Sequence, residues 1–576
     1  MTESMSAAPI ESPSAPTRVE MFAPWVAGLL LALPVLIARY PPMTDLPLHE
    51  GLVGILRHFD DTAMFPPGLY ARNFGQPNQL FHLLALALSY VFATDTACKI
   101  VVAATVVAIP VCAARFASHI GANRLAAVVV APVALGWMFS WGLVANLIGL
   151  AMFLALLPAL DRLAASPTPR AALLAIGGAL VMHLAHEAMM VIYAGAAFWL
   201  ACCHPFAPKK TLLRLSPFVA AVTLNFWLLA STRSHMSPTL KAIPTMWVPI
   251  SAKLMYLPAV VIPSHDRVVQ LAFFGLCALA VVVFFVLRHR ERTEPMPRKI
   301  MPFVLRYRFE LFAAACFGAY LAFPLTLNGA TLVYQRFLPP AFVLLVIVAA
   351  PRSLAARSAR VMRLLVPALP VAALLIAWPS FTESHEAYKD LDQILAQMDK
   401  GAAVAVVDLA SSETRSFSLG PAPARYLAVG GGRLHYAFTD SPIAPAMLRP
   451  EYQWNEPLVR ISKSGWAFRP NHDFKHFRYV IVRSVDPQLL VLAAYAMKPE
   501  ARVISNAGEW LLLESNLEVV SLLSQDDPLP QPKAPSLRQR MKKSLDELTK
   551  DNPIPPPELG SEQEQDDPAR GLAMPQ

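Results

Sequence analysis

The sequence is poor in charged residues. Lys, Arg, Asp and Glu make up 15% of its 576 residues, whereas a soluble domain has about 25%. Apolar residues make up 55%, the mean hydropathy is +0.44, and the apolar residues are gathered into repeated long runs. This composition excludes a soluble globular protein, a collagen and a coiled coil. It predicts a polytopic α-helical membrane protein.

Cysteine motifs for metal binding or redox chemistry are also lacking. The six cysteines lie within apolar runs or at their ends, and none has the C-x-x-C spacing. We interpret them as packing residues. The net charge of +9 does not indicate a nucleic-acid partner, because the basic residues lie mostly between apolar runs, where they orient helices in the bilayer. We therefore predict membrane lipids, and no nucleic acid, as partners.

The apolar runs predict several membrane spans. A hydrocarbon core of about 30 Å needs roughly 20 apolar residues in a helix, which predicts roughly 11 to 13 spans between residues 22 and 379. The candidate runs are 22–38, 79–93, 98–116, 124–139, 141–160, 171–184, 186–203, 212–230, 267–287, 309–327, 337–350 and 364–379, with 244–263 as a further span or an interfacial helix.

Basic loops set the predicted orientation. The loops 288–308 and 351–363 are rich in Arg and Lys, and we predict that both are cytoplasmic. The apolar stretch 171–203 is too long for one untilted span and too short for two comfortable ones. We take it as one long helix, which gives eleven spans and an external 40–78 loop. This choice places four further basic residues outside, against the charge rule: Arg115, Arg124, Arg162 and Arg170.

Composition divides the chain into four parts. Residues 1–21 and the Pro-rich tail 521–576 are predicted to be disordered. Residues 22–379 form the transmembrane bundle, whose external loop 40–78 contains an amphipathic helix. Residues 380–520 are predicted to form an extracytoplasmic α/β domain with a small, mostly parallel sheet. Its predicted strands are 403–409, 478–484 and 509–515, and its predicted helices are 384–399 and 489–497.

The strongest local signal is the segment TDLPLHE at residues 44–50. Asp45 is an acidic residue beside prolines that limit the freedom of the backbone, which is a suitable setting for a general base. His49 lies four residues later, so that in a helix the two side chains would face one cleft. The alternative interpretation is that Asp45 is the N-cap residue of the following helix and His49 an interfacial residue.

The arrangement of these parts resembles the GT-C superfamily of integral-membrane glycosyltransferases. In architecture the resemblance covers most of residues 20–520: a first membrane helix, an acidic loop with an amphipathic helix, many further spans and a late α/β domain. In motif it rests on Asp45 with Pro47 and His49, on the polar residues 76–79 before the second predicted span, and on Tyr334, Gln335 and Arg336 before a late helix.

The resemblance implies a lipid-phosphosugar-dependent glycosyltransferase of the bacterial inner membrane. Asp45 would be the general base that deprotonates an acceptor hydroxyl, with His49 as a second catalytic candidate. The leaving phosphate needs cationic partners, and Arg336 at an external helix start can bind phosphate through two N–H groups. Its alternative role is an interfacial anchor for that helix. The candidate substrate-binding residues are Arg336, Arg72, Lys253 and Tyr334, with Arg336 preferred to the other two cations.

Metal use is left open by the same resemblance. Many members of the superfamily have an acidic pair where this chain has Asp45 alone, so a divalent cation stays an alternative and no other cofactor is predicted. A second polar group, His183, His186 and Glu187, shares one helical face inside the apolar stretch 171–203. Ionisable groups at that depth usually face a cavity or a partner. We favour a polar cavity or a helix-end site over a bound metal.

The predicted function is therefore sugar transfer from a polyprenyl-phosphate donor to an unidentified extracytoplasmic acceptor. Two alternatives remain at this stage. A polytopic transporter or flippase would use residues 183–187 to line its pathway. A non-catalytic membrane assembly protein would use the external domain to bind a partner.

Overall fold

The computed structural model of the chain describes residues 17–233, 244–264, 266–291, 296–327, 330–352, 356–410, 415–449, 452, 461, 464–519 and 535–549. Three stretches that were predicted to be disordered, 1–16, 521–534 and 550–576, lie outside the described residues. Part of the basic loop 288–308 also lies outside them.

Residues 18–395 form a helical bundle with a short strand, β1, in its first loop. The elements are α1 (Arg18–Ile37), α2 (Leu46–Arg57), β1 (Tyr70–Arg72), α3 (Leu80–Ser89), α4 (Thr94–His119), α5 (Ala126–Val130), α6 (Trp137–Ser140), α7 (Val144–Ala165), α8 (Pro169–Ala185), α9 (Glu187–Cys202), α10 (Pro208–Arg233), α11 (Ile250–Tyr256), α12 (Arg267–Glu291), α13 (Ile300–Arg306), α14 (Arg308–Ala322), α15 (Leu338–Ala349) and α16 (Ala356–Leu395). Among the described residues, six of these helices are long and apolar enough to cross a membrane: α1, α4, α7, α10, α12 and α16. The chain is thus a polytopic membrane protein.

Helix α1 begins at Arg18, whereas the predicted span begins at residue 22. Thr17 and Glu20 form a capping box: the Glu20 N–H donates to Thr17 Oγ1 (3.3 Å), and the Thr17 N–H donates to Glu20 Oε2 (2.9 Å). These bonds satisfy backbone donors that the first helical turn leaves free. The predicted disorder of residues 17–21 is therefore wrong.

The segment 79–93 does not cross the bundle. Lys99 near the start of α4 donates to the carbonyl of Ala38, just after α1 (3.2 Å), and Asn123 after α4 donates to Glu20 at the start of α1 (3.2 Å). Helices α1 and α4 are therefore antiparallel. Helix α3 stays near the end of the bundle at which α4 begins, because its ten residues extend only about 15 Å. The prediction of a span at 79–93 is wrong.

The stretch 171–203 forms two helices, α8 and α9, instead of one. His186 between them has extended backbone angles (φ −169°, ψ 132°), and its Nδ1 accepts the N–H of Ala188 (3.1 Å) as the N-cap of α9. The Tyr193 hydroxyl donates to the carbonyl of Ala175 (2.6 Å). This bond requires α8 and α9 to lie side by side as a hairpin. The prediction of one long helix is wrong, because the histidine cap at residue 186 ends one helix and starts the next.

The loss of the span at 79–93 and the division of 171–203 into two helices leave the number of passes unchanged. The described helices pass eleven times between the two ends of the bundle, in α1, α4, residues 126–140, α7, α8, α9, α10, α12, α14, α15 and α16. We call the two ends the Asp45 end and the Asp161 end. His119 and Arg308 bind Asp161 (2.9 and 2.7 Å), and Arg288 donates to the carbonyl of Ala350 (2.9 Å) at that same end.

The charge conflict of the sequence analysis disappears with this topology. The end of α4, the α7–α8 connection and the start of α14 all lie at the Asp161 end, so the basic residues of these segments are gathered there. They include Arg115, Arg124, Arg162, Arg170, Arg288 and Arg308. Basic residues on one side of a bundle are typical of its cytoplasmic side.

The α/β domain follows α16, a single helix that joins the last predicted span to the predicted helix 384–399. The further elements are β2 (Ala403–Asp408), α17 (Tyr426–Val429), β3 (Arg433–Leu434), β4 (Ala446–Leu448), α18 (Pro470–Asp473), β5 (Tyr479–Arg483), α19 (Pro487–Met497), β6 (Ala501–Ala507), β7 (Trp510–Ser515) and α20 (Leu537–Thr549). The three predicted strands correspond to β2, β5 and β7.

The sheet is mixed, with the strand order β3-β2-β5-β7-β6. Strand β2 is parallel to β3 and β5, whereas β7 is antiparallel to both β5 and β6. The prediction of a mostly parallel sheet is wrong because β6 and β7 form a hairpin around Gly508, whose φ of +55° suits glycine. Strand β6 was not predicted, since its burial is incomplete and its sequence ARVISNA lacks a continuous apolar run.

Helix α20 lies within the tail that was predicted to be disordered. Leu537 and Met541 are buried against the α/β domain, and Arg540 forms a bidentate ion pair with Glu500 (2.7 and 2.8 Å). The prediction is wrong for residues 537–549, because the Pro-rich flanks mask a short amphipathic helix with two apolar residues on one face.

The first loop and the α/β domain lie at the same end of the bundle. Strand β1 pairs antiparallel with β4 of the domain, and the Asn73 side chain donates to the carbonyls of Pro442 and Ala444 (2.9 and 3.0 Å). The first loop and the domain therefore occupy the same side of the membrane.

We expect Asp60 and Lys498 to be labelled from one side of the membrane and Arg298 from the other. All three positions are exposed, and the contacts above place the first two at the Asp45 end. The measurement is labelling of single cysteines at these positions with a membrane-impermeant maleimide, in intact and in permeabilised cells. Equal accessibility of positions 60 and 298 in intact cells would contradict the topology.

Candidate functional site

Asp45 is fixed by its backbone, and its carboxylate is left without a donor. Thr44 and Asp45 donate their N–H groups to the carbonyls of Ser140 and Trp141 (2.9 and 3.1 Å). Asp45 occupies the N-cap position of α2, but its side chain makes no capping hydrogen bond. Within the described part of the chain, no residue donates a hydrogen bond to this half-buried carboxylate. The Asp45 side chain therefore does not cap α2, which is the alternative role considered for this residue.

Gly142 makes this arrangement possible. Its φ is +75°, and a Cβ atom there would lie 2.4 Å from the Asp45 nitrogen. The close approach of residues 140–142 to residues 44–45 therefore needs a residue without a side chain.

The pKa of Asp45 suits proton transfer at neutral pH. Burial raises the pKa of its carboxyl to about 7, and the positive charge of Arg336 acts in the opposite direction. Near pH 7 a general base of this pKa is partly ionised and can still hold the proton that it accepts.

Arg336 lies in a 3₁₀ turn (Tyr334–Phe337) before α15 and is largely buried. Its Nη1 is 2.7 Å from His186 Nε2 and 3.8 Å from Glu187 Oε1, and its Nη2 donates to the carbonyl of Thr331 (3.2 Å). Its buried Nε has no hydrogen-bond partner among the described residues. The guanidinium is therefore oriented through its two Nη atoms and keeps one donor for another group.

The polar group in the apolar stretch lies at the tip of the α8–α9 hairpin. The Glu187 N–H donates to Asn78 Oδ1 (3.1 Å), and His183 Nε2 is 3.4 Å from the carbonyl of Gly75. His186 uses one ring nitrogen to cap α9 and faces Arg336 with the other. Within the described ranges, no three His, Cys, Asp or Glu side chains form a group that could hold a metal ion. At this helix end, His186 and Glu187 contact Arg336, whereas His183 contacts the first loop.

His49 does not pair with Asp45. Its Nδ1 is 3.0 Å from His82 Nε2, and its ring packs at 5.0 Å from the ring of Phe438 in the α/β domain. Burial lowers the pKa of His49 well below its usual value, so the ring is neutral at pH 7. The spacing of four residues in α2 therefore does not bring these two side chains into a hydrogen bond.

The other sequence-predicted cations are already paired. Arg72 is half exposed and bound to Asp60 (3.1 Å). Lys253 donates to the carbonyls of Leu321 and Phe323 (2.8 and 2.6 Å), and its ammonium lies 4.6 Å from the ring centre of the buried Tyr334. Of the predicted cations, Arg336 is the one whose charge acts on Asp45.

A buried ion pair next to Asp45 was missed by the sequence analysis. Arg425 of the α/β domain lies 3.3 Å from Glu50 of α2, and the Tyr40 hydroxyl donates to the same carboxylate (2.7 Å). Arg425 also contacts Asp392 of α16 (3.2 Å), which accepts from Arg39 (2.6 Å). Glu50 lies in the segment TDLPLHE, but nothing in the sequence around Arg425 indicates its partner 375 residues away.

The α/β domain also contributes an aromatic residue near Asp45. Tyr436 is exposed for 42% of its surface, and burial of its hydroxyl together with the negative charge of Asp45 raises its pKa. The site is therefore bounded by the first loop, the α8–α9 tip, the start of α15 and the domain.

Replacing Gly142 by alanine is expected to destabilise the protein by about 1–3 kcal/mol, because alanine is strained at positive φ and its Cβ would collide with Asp45. Thermal unfolding in detergent micelles measures this loss. Gly177→Ala is the control, since Gly177 in α8 has open space around it. Equal melting temperatures for the two variants would contradict the close approach at Gly142.

Comparisons with known proteins show the fold. No protein-family model and no curated protein matches the chain. ArnT from Cupriavidus metallidurans is similar in its apo crystal structure (TM-score 0.49, 11% identity, 85% of this chain and 96% of that chain). Its structure bound to undecaprenyl phosphate gives a TM-score of 0.50 at 11% identity, over 88% of this chain and 98% of that chain. From the helical bundle to the late α/β domain, this chain has the fold of the ArnT structure bound to undecaprenyl phosphate, in agreement with the GT-C-like fold class that the sequence predicts.

Proposed function

We propose that the protein transfers a sugar from a polyprenyl-phosphate donor to an acceptor on the Asp45 side of the membrane. The observation that carries this proposal is the Asp45 carboxylate, which is half-buried, has a pKa raised to about 7 and accepts no hydrogen bond from a described residue. The fold supports the donor class, since the similar ArnT structure contains undecaprenyl phosphate.

The proposed reaction uses two groups of the chain. Asp45 accepts the proton of an acceptor hydroxyl, and the freed oxygen forms a bond to the sugar carbon that carries the lipid phosphate. The bond between this carbon and the phosphate oxygen breaks, and its electron pair leaves with the phosphate. Arg336 would bind that phosphate through its free Nε, because a guanidinium stabilises the charge that develops on a leaving phosphate.

The charge distribution supports an orientation. Since basic residues mark the cytoplasmic side of a membrane protein, the Asp161 end would face the cytoplasm. The Asp45 end and the α/β domain would then face the outside of a bacterial inner membrane. Donor, acceptor and domain would meet in that compartment.

We expect Asp45→Asn to lower kcat by about 10²-fold or more, because a general base contributes roughly 10²–10⁴ to a rate. The measurement is transfer of labelled sugar from polyprenyl-phosphate donors to membrane acceptors. Asp60→Asn, which changes an exposed acid of the same loop, is the control. Undiminished transfer by Asp45→Asn would remove Asp45 from the mechanism. Absence of transfer by the wild type with every donor would favour the transporter or the assembly protein.

The pH dependence of transfer should report the ionisation of Asp45. The base works when deprotonated, so kcat/KM of the wild type should rise with pH and reach half its plateau near pH 7. Arg336→Gln removes a charge that lowers the pKa of Asp45, so this midpoint should move to higher pH as the plateau falls. Arg502→Gln, at an exposed ion-paired arginine of the α/β domain, is the control. A midpoint that Arg336→Gln leaves in place would contradict the assignment.

A further inference from the structure

Helix α2 is packed so closely against the α/β domain that a Cβ atom would collide with the domain backbone at Gly54 and would be in tight contact with it at Gly51. A Cβ atom on Gly54 would lie 2.4 Å from the Cα of Ala428, and one on Gly51 would lie 3.0 Å from the carbonyl oxygen of Ala424. The backbone of α2 thus rests directly on residues 424–428 of the domain. Such an interface transmits any shift of the domain to the helix that begins at Asp45.

One ion pair crosses this interface within the protein interior. The Glu50 and Arg425 side chains are 1% and 3% exposed and lie 3.3 Å apart. The Arg425 guanidinium also lies 4.7 Å from the ring centre of Tyr40, which stacks on Tyr388 of α16. A buried charge that loses its partner is strongly unfavourable, so the pair holds α2, the domain and α16 in one relative position.

The residue before Asp45 is bound on two sides as well. The Thr44 hydroxyl donates to the carbonyl of Ser140 in the bundle (3.1 Å) and accepts the N–H of Ser418 in the domain (2.9 Å). Since no described residue donates a hydrogen bond to the Asp45 carboxylate, its position follows from the backbone of residues 44–46 and from α2.

We propose that Glu50 and Arg425 are positioning residues for Asp45, through which the α/β domain sets the place of the base. This inference rests on the proposed function and assigns the domain a part in the transfer reaction itself. The two side chains act through α2 and do not touch the reacting atoms. Their loss should misplace Asp45 without changing the charges that act on it, because Arg425 is not among the groups that shift the pKa of Asp45.

The first test is steady-state kinetics of the full-length Arg425→Gln and Glu50→Gln variants. We expect kcat to fall by about 10²-fold, as a displacement of about 1 Å can cause, while KM for the polyprenyl-phosphate donor stays within about twofold. The pH midpoint of kcat/KM should equal that of the wild type, in contrast to the upward shift expected for Arg336→Gln. Arg540→Gln, which breaks a bidentate ion pair of the same domain away from α2, should leave kcat unchanged.

The second test replaces the ion pair by a covalent link. A Cβ on Gly51 would lie 3.3 Å from the Cβ of Leu427, close to the range of about 3.5–4.5 Å found in disulfides. In a background whose six native cysteines are replaced, Gly51→Cys with Leu427→Cys should form a disulfide on oxidation. Added to Arg425→Gln, the oxidised link should restore at least half of the lost kcat, and a reductant should remove the gain.

The outcomes separate this inference from the proposed function. A wild type that transfers no sugar overturns the proposed function and the inference together. A wild type that transfers sugar while Arg425→Gln keeps its kcat overturns the inference alone. A disulfide that forms without restoring kcat also overturns it, because α2 would then be held while the defect remained. We also expect the disulfide to form more slowly in the Arg425→Gln background. This measurement does not depend on sugar transfer.

Discussion

The placement of α2 between the bundle and the α/β domain is the constraint on which the site depends. Asp45 has no hydrogen-bond partner for its carboxylate within the described residues, so neighbouring backbone must hold it. Because Gly142 has no side chain, the bundle can approach this backbone closely on one side. Because Gly51 and Gly54 have none, the domain can approach α2 on the other. The Glu50–Arg425 pair then fixes the helix between them. A carboxylate that is held by the surrounding backbone and not by hydrogen bonds of its own stays available for a substrate proton, as the proposed function requires.

The two ends of the bundle differ in charge for separate physical reasons. At the Asp161 end, basic residues lie at helix ends and in loops, where they are suited to the cytoplasmic face of a membrane. At the Asp45 end, the side chains of Glu50, Arg425 and Arg336 are buried and contact elements that are distant in sequence. Arg336, for example, contacts His186 from 150 residues away. In the proposed orientation, the first end faces the cytoplasm and the second end holds the proposed chemistry.

Local patterns in the sequence were sufficient for part of this structure. The apolar runs predict the bundle, the runs 403–409, 478–484 and 509–515 predict three of the strands, and the amphipathic helix predicted in the loop 40–78 corresponds to α2. The hairpin at 171–203 was missed because hydropathy does not register a single histidine cap at residue 186. The composition of α3 predicts a membrane span, but its ten residues are too few to cross the bundle.

Contacts between residues that are distant in the chain could not be predicted from the sequence. The bond between Arg425 and Glu50 joins residues 375 positions apart, and neither the short turn around Arg425 nor the periodicity of α2 encodes it. The same holds for β1 and β4, which are three-residue strands that exist only because the first loop and the domain meet. These contacts depend on the tertiary fold, and no single sequence pattern carries them.

The most direct test of the central claim is an experimental structure of the protein with a polyprenyl phosphate bound. We predict that the phosphate lies within hydrogen-bond distance of Arg336 Nε, with space for a sugar and an acceptor oxygen between it and the Asp45 carboxylate. A phosphate bound away from Arg336, or a lipid whose bound position leaves Asp45 without access to the sugar carbon, would contradict the account.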